Sequence, residues 1–101
     1  MLVNEVKKVK IGNKFDIGGT ERFTFIGGPC VIESEELVME VAGKLKEITE
    51  KLGINFVFKS SFDKANRSSI NGYRGPGIEE GLRILKKVKD TYNVPVVTDI
   101  H

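Results

Sequence analysis

A single cysteine, Cys30, stands among 101 residues, so no disulfide can close within the chain and no paired-cysteine metal motif is present. No apolar run approaches the roughly 18–20 residues of a membrane span. The opening Met1-Leu2-Val3-Asn4-Glu5 has neither the apolar core nor the small-residue cleavage site of a secretion signal. The cytoplasm is therefore the expected compartment. The excess of basic over acidic residues is small as well, 16 against 14. A net charge of +2 and a pI near 8.7 fall short of the concentrated basic face that a nucleic-acid surface needs. Low-complexity tracts and linkers are missing, and the length allows one domain at most.

Two kinds of periodicity are present. Residues 1–20 read as a small hairpin: Val6, Val9 and Ile11 alternate with lysines, Gly12-Asn13 supplies turn chemistry, and Phe15-Asp16-Ile17 forms the return strand. Over residues 21–101 strands and helices then alternate. Phe23-Thr24-Phe25-Ile26-Gly27-Gly28 is a short, mostly apolar run ending in glycine, as in a strand buried on both faces. Ser34 is placed to cap a helix whose first turn carries Glu35 and Glu36, where the helix dipole favours acid. Leu37, Val38, Val41, Leu45, Ile48 and Leu52 recur at helical spacing up to a stop at Gly53. Residues 54–59 predict a second strand. Pro76 introduces a second helix over 77–92 with Ile78, Leu82, Leu85, Val88 and Tyr92 on one side, and residues 94–99 predict a third strand.

The order is hairpin followed by β-α-β-α-β, which implies an α/β fold with a parallel sheet and helices outside it. Three parallel strands cannot close a barrel, which takes eight strands and about 250 residues. An open three-stranded sheet keeps bare edges. The chain is thus either the first part of a larger barrel or a very small open α/β domain, and the topology favours the first.

In parallel α/β folds functional groups gather at the carboxyl ends of the strands. That rule selects three clusters. The first, Gly27 to Ser34, brings glycines that allow close backbone approach, and Cys30. Cys30 could be buried apolar filler, a nucleophile or one ligand of a mixed metal site. The second runs from Lys59 to Arg74 and carries four basic residues (Lys59, Lys64, Arg67, Arg74) against one acid (Asp63), a net +3 that exceeds the charge of the whole chain. With Ser60, Ser61, Asn66, Ser68 and Ser69 it suits anion binding: arginine forks onto phosphate, lysine gives a point charge and hydroxyls donate. A solvated basic loop is the plainer reading, but structureless loops of this length are uncommon without a function. The third, Thr98-Asp99-Ile100-His101, points Asp99 and His101 to one side of an extended chain, as an acid–base or hydrogen-bonding pair requires.

Gly28-Pro29-Cys30-Val31-Ile32-Glu33-Ser34, the run from Phe58-Lys59-Ser60-Ser61-Phe62-Asp63-Lys64 through Ala65-Asn66-Arg67-Ser68-Ser69, and Tyr73-Arg74-Gly75-Pro76-Gly77 together closely resemble the 3-deoxy-octulosonate 8-phosphate synthase family. Thr98-Asp99-Ile100-His101 agrees in order and place. The resemblance covers nearly the whole chain, and the middle motif is the most specific. It implies a (β/α)8 barrel with an N-terminal capping hairpin, here reaching the end of the third barrel strand. It also implies condensation of phosphoenolpyruvate with arabinose 5-phosphate and water for lipopolysaccharide synthesis. In that family Lys59 and Lys64 correspond to lysines that hold phosphoenolpyruvate, Lys64 also lying near the sugar aldehyde, and Ser61 to a group on its carboxylate. Asn66, Arg67 and Ser68 correspond to the arabinose 5-phosphate grip, and Asp99 and His101 to active-site groups near the condensing carbons. Cys30 marks the metal-dependent class, whose divalent ion (zinc, iron, manganese or similar) takes its other ligands, a His, a Glu and an Asp, from later strands. Family members are usually homotetramers. The nearest rival, 3-deoxy-arabino-heptulosonate 7-phosphate synthase, shares Gly-Pro-Cys but typically reads Lys-Pro-Arg-Thr where this chain has Lys64-Ala65-Asn66-Arg67-Ser68. A reading from another class is a non-catalytic phosphate-binding module.

Overall fold

The computed structural model describes residues 9–12, 14–18, 22–62 and 75–99. Strands β1 (Val9–Ile11) and β2 (Phe15–Ile17) form the expected antiparallel hairpin, with Val9 opposite Ile17 and Ile11 opposite Phe15. Gly12 turns the chain at φ 53°, in the left-handed region that glycine enters without penalty. Lys14 at the turn donates to the side chain of Asn93, the residue that ends the second helix.

The second sheet holds β3 (Thr24–Gly27), β4 (Asn55–Lys59) and β5 (Val96–Val97), all parallel, in the order β3-β4-β5. Helix α1 (Glu35–Leu52) joins β3 to β4, and α2 (Ile78–Tyr92) leads from the loop after β4 into β5. The α/β class and the β-α-β-α-β order expected from the periodicity are both present. The third strand is shorter than residues 94–99. Pro95 has no N–H to give to a ladder, so regular pairing starts at Val96, although the Pro95 carbonyl still accepts from Phe58 N at 2.9 Å.

Both helices cover one face of the sheet. Phe25, Phe56, Phe58 and Val96 point to that face and meet Val38, Ala42, Ile84, Leu85 and Val88 from the helices, with Phe58 wholly buried. Phe25 stacks on Phe56 across the β3–β4 pair, and Phe56 meets Phe58 edge-on. The buried stripe of α1 is partly rotated from the expected one: Val38 is buried and Leu45 packs on the core as expected, Ala42 and Thr49 are buried with them, and Leu37, Ile48 and Leu52 are exposed. Small side chains at 42 and 49 let the helix approach its neighbours. Thr49 is accommodated because its hydroxyl donates back to the Leu45 carbonyl at 2.8 Å. In α2, Ile84 and Gly81 replace Ile78 and Leu82 as buried positions. A Cβ on Gly81 would lie 2.3 Å from Phe62 Cβ, so the missing side chain is what lets the loop after β4 fold over α2.

The caps follow the sequence. Ser34 Oγ accepts from Leu37 N at 3.1 Å, and Gly53 ends α1 in the left-handed conformation. Glu35, the first helical residue, also binds outward: Arg83 reaches it at 2.6 Å, Lys87 pairs with its second oxygen, and Arg83 holds Glu80 at 2.6 Å. This ion cluster ties the start of α1 to the flank of α2. Among the described residues no helix is long and apolar enough to cross a membrane.

Candidate functional site at the carboxyl edge of the sheet

All three parallel strands end on the same edge, and the described candidates lie there. Lys59 is the exposed last residue of β4, Cys30 lies in the connection after β3, and Asp99 follows β5. Strand alternation puts Phe56 and Phe58 under the helices, so Asn55, Val57 and Lys59 face the other side of the sheet.

Pairing does not stop at the strand ends. Gly27 is in register with Phe58, and Val31 bridges to Ser61 further on. Between those pairs, three residues (28, 29 and 30) oppose two (59 and 60). One extra residue on one strand is a bulge, a local device that re-aims side chains. Its result here is that Cys30 is exposed while Val31 and Ile32 on either side of the following bond are buried. Gly28 makes the bulge possible, because a Cβ at that position would lie 2.2 Å from the Lys59 carbonyl oxygen.

The bulge is held from β4. Ser60 Oγ donates to the Pro29 carbonyl at 2.6 Å, Ser61 N donates to the Cys30 carbonyl at 3.4 Å, and Ile32 N donates to the Ser61 carbonyl at 2.9 Å. On the opposite side, Ser61 Oγ donates to Asp99 Oδ1 at 2.5 Å, joining the exits of β4 and β5. Both serines are 1% exposed. A hydrogen bond to a carboxylate is among the stronger kinds, and buried hydroxyls need such partners.

These bonds give Ser61 a role that the sequence did not reveal: its hydroxyl serves Asp99, and Ser60 serves the Cys30 loop. The only available signal was two consecutive serines at the mouth of an apolar strand. Lys64, Asn66, Arg67, Ser68 and His101, the remaining sequence candidates, lie outside the described residues. The Glu35 cluster was equally invisible in the sequence. Its two cations, Lys87 first and Arg83 second, hold the Glu35 carboxyl below its ordinary value, and Arg83 does the same for Glu80.

For a metal, the fit is one donor deep. An exposed thiol at the carboxyl edge of a parallel sheet is a suitable soft ligand, but among the described residues no group of three or more His, Cys, Asp or Glu side chains converges.

A family model described as the DAHP synthetase I family matches residues 6–101. Among curated proteins, the 2-dehydro-3-deoxyphosphooctonate aldolase of Fusobacterium nucleatum is 61% identical over all of this chain and 36% of its own length. The protein of the same name from Francisella philomiragia is 63% identical over 92% of this chain and 34% of its own, and that from Hydrogenovibrio crunogenus is 62% identical over 86% and 31%. The chain therefore spans about a third of the length of the curated relatives it matches.

Proposed function

The chain belongs to the DAHP synthetase I family, and from that premise we propose that it is the first part of a metal-dependent 3-deoxy-octulosonate 8-phosphate synthase. The whole enzyme condenses phosphoenolpyruvate with arabinose 5-phosphate and water, releasing the eight-carbon sugar acid phosphate and inorganic phosphate. It serves lipopolysaccharide synthesis in the cytoplasm and acts as a homotetramer. The family description names the heptulosonate branch, but the relatives at 61–63% identity carry the octonate name. The observation that carries the choice is the run Lys59-Ser60-Ser61-Phe62-Asp63-Lys64-Ala65-Asn66-Arg67-Ser68 leaving the carboxyl end of β4, with no Lys-Pro-Arg-Thr in it.

In this reading the sheet is the first part of a (β/α)8 barrel, with residues 1–20 as the cap and 21–101 as barrel units. Exposed apolar side chains support a larger body: Ile26 and Val97 on the sheet face away from the helices, and Ile78 and Leu82 on α2. A monomeric surface does not usually spread such residues over contiguous elements.

Lys59 and Lys64 bind phosphoenolpyruvate, whose carboxylate and phosphate both need cations, with Ser61 beside the carboxylate. Asn66, Arg67 and Ser68 hold arabinose 5-phosphate, the guanidinium and hydroxyl taking its phosphate. Asp99 and His101 stand near the condensing carbons, and Lys64 lies beside the sugar aldehyde, where an ammonium polarises the carbonyl for attack. Cys30 contributes one ligand to a divalent ion. Such an ion orients substrate and water by Lewis acidity without a redox change.

The test is turnover of phosphoenolpyruvate with arabinose 5-phosphate by the complete gene product, before and after chelation. Loss on chelation and recovery with a divalent ion supports the metal and its thiolate ligand. Turnover indifferent to chelator keeps the synthase and removes the metal from Cys30. No turnover leaves only the anion-binding module.

A further inference from the structure

A hairpin as short as the first one does not hold itself together. Strands β1 and β2 have three residues each, Val9 and Lys10 are exposed, and an isolated two-stranded hairpin is marginally stable at best in water. The body of the protein has to hold it. Yet the turn does not lie flush against that body. A cleft of about 470 Å³ lies between Ile11 and Gly12 on one side and Val94, Pro95 and Val96, at the amino end of β5, on the other. Among the described residues one hydrogen bond crosses from hairpin to body. It runs from Lys14 Nζ to Asn93 Oδ1 at 2.5 Å and joins residues 79 apart.

Local structure fixes both ends of this bond. Lys14 closes the turn, its N–H donating to the Ile11 carbonyl at 3.0 Å. Asn93 ends α2 in the left-handed conformation, at φ 55° and ψ 46°, with its N–H on the Lys89 carbonyl. Among the described residues it is the only non-glycine with positive φ. Helix α1 has Gly53 at the equivalent place. Glycine is the usual residue there, and asparagine is the alternative that tolerates the conformation and carries an acceptor. The capping donor at 93 is the backbone N–H, so the side chain is not needed for the cap. Its described partner is Lys14. The place suits that partner, because the last carbonyls of a helix attract a cation. No carboxylate lines the cleft to compete for it.

We propose that Lys14 and Asn93 form a latch, and that the β1–β2 hairpin is a strap that opens at this bond while the rest of the protein stays folded. Segments held by few buried contacts open as separate units, well below the free energy of global unfolding. Asn93 precedes β5, so the latch sits at the amino edge of the parallel sheet. Cys30, Lys59 and Asp99 lie at the other edge. Opening the strap therefore uncovers Val94, Pro95 and Val96 and leaves the carboxyl edge in place. The latch does not depend on the synthase reading.

The experiment is amide hydrogen exchange on the full-length protein, read separately for the hairpin and for α2. Asn93→Gly removes the acceptor and keeps a residue that takes the left-handed conformation freely, so the end of α2 is preserved. Lys14→Met removes the donor and keeps the length of the side chain. Each single variant is expected to speed exchange of the hairpin amides about 5- to 10-fold, as loss of one hydrogen bond implies, and to leave α2 unchanged. The double variant should exchange no faster than either single one, because both remove the same bond. Hairpin exchange unchanged in the single variants would overturn the proposal, by showing that other contacts hold the strap. Equal acceleration in α2 would overturn it by showing that hairpin and body open together. Additive effects in the double variant would do so by showing that the two side chains act apart. Hairpin amides unprotected in the unaltered protein would mean that no closed strap exists. Activity is no part of the readout, so failure here is distinct from failure of the synthase reading.

Discussion

Ser61 Oγ donates to Asp99 Oδ1 at 2.5 Å, so the side chain that closes β4 holds the carboxylate that follows β5. In the synthase reading that carboxylate lies near the condensing carbons. Ser61→Ala leaves Asp99 without this donor, and hydrogen bonds to charged groups contribute about 1.5–3 kcal/mol. Turnover by the full-length protein should fall roughly 10-fold or more, with the change in kcat. An unchanged kcat would show that Asp99 does its work without the Ser61 hydroxyl.

Gly28→Ala is expected to damage the fold at the site edge itself. The new methyl would meet the Lys59 carbonyl at 2.2 Å and the Phe58 ring at 2.9 Å, and neither a ladder carbonyl nor a fully buried ring can swing away. The cost should be about 1–3 kcal/mol, in line with overpacked cores. A denaturant midpoint equal to that of the unaltered protein would mean that the β3 exit relaxes freely.

Much of this architecture was legible in the sequence, and what was not has identifiable causes. Hairpin, helices and parallel order follow from periodicity and from caps such as Ser34 and Gly53, because those signals are local. The buried stripes were misplaced by part of a turn. Hydrophobicity alone favoured Leu37, Ile48, Leu52, Ile78 and Leu82, whereas close packing selected Ala42, Thr49 and Gly81, which are small. The strand-end rule put Cys30, Lys59 and Asp99 at one edge of the sheet, which is where the structure has them. It could not find Ser60 to Pro29, Ser61 to Asp99, or Arg83 to Glu35, since these contacts join residues 31, 38 and 48 apart.

Glu35 and Glu80 have folded-state values below the ordinary 4.5, Glu35 lowered by hydrogen bonds from Lys87 and Arg83 and Glu80 by one from Arg83. Groups lowered on folding stabilise above their unfolded value, and that contribution fades as pH falls through the lowered one. The α1–α2 clasp should therefore weaken in acid below about pH 4.5. Arg83→Ala removes the cation shared by both carboxylates, so its denaturant midpoint should fall less steeply than that of the unaltered protein between roughly pH 5 and pH 3. Added salt should narrow the difference, because the cluster is exposed. Parallel acid limbs would show that the clasp contributes nothing.

Residues 1–101 in isolation should unfold over a broad range rather than in one sharp transition. Phe23, Ile26, Ile48, Leu52, Ile78, Leu82 and Val97 are exposed, and among the described residues no further strand pairs with β3 or β5. Calorimetry reads this directly. A sharp cooperative melt, with calorimetric and van't Hoff enthalpies equal, would support a self-sufficient domain.

The choice of sugar is read from phosphate release from phosphoenolpyruvate by the complete gene product, with arabinose 5-phosphate in one reaction and erythrose 4-phosphate in another. Turnover is expected with the five-carbon sugar phosphate and little with the four-carbon one, together with a rise of about 10-fold or more in the arabinose 5-phosphate KM on Arg67→Ala, as loss of a charge-assisted phosphate contact implies. Preference for erythrose 4-phosphate would contradict it and place the protein in the heptulosonate branch of the family.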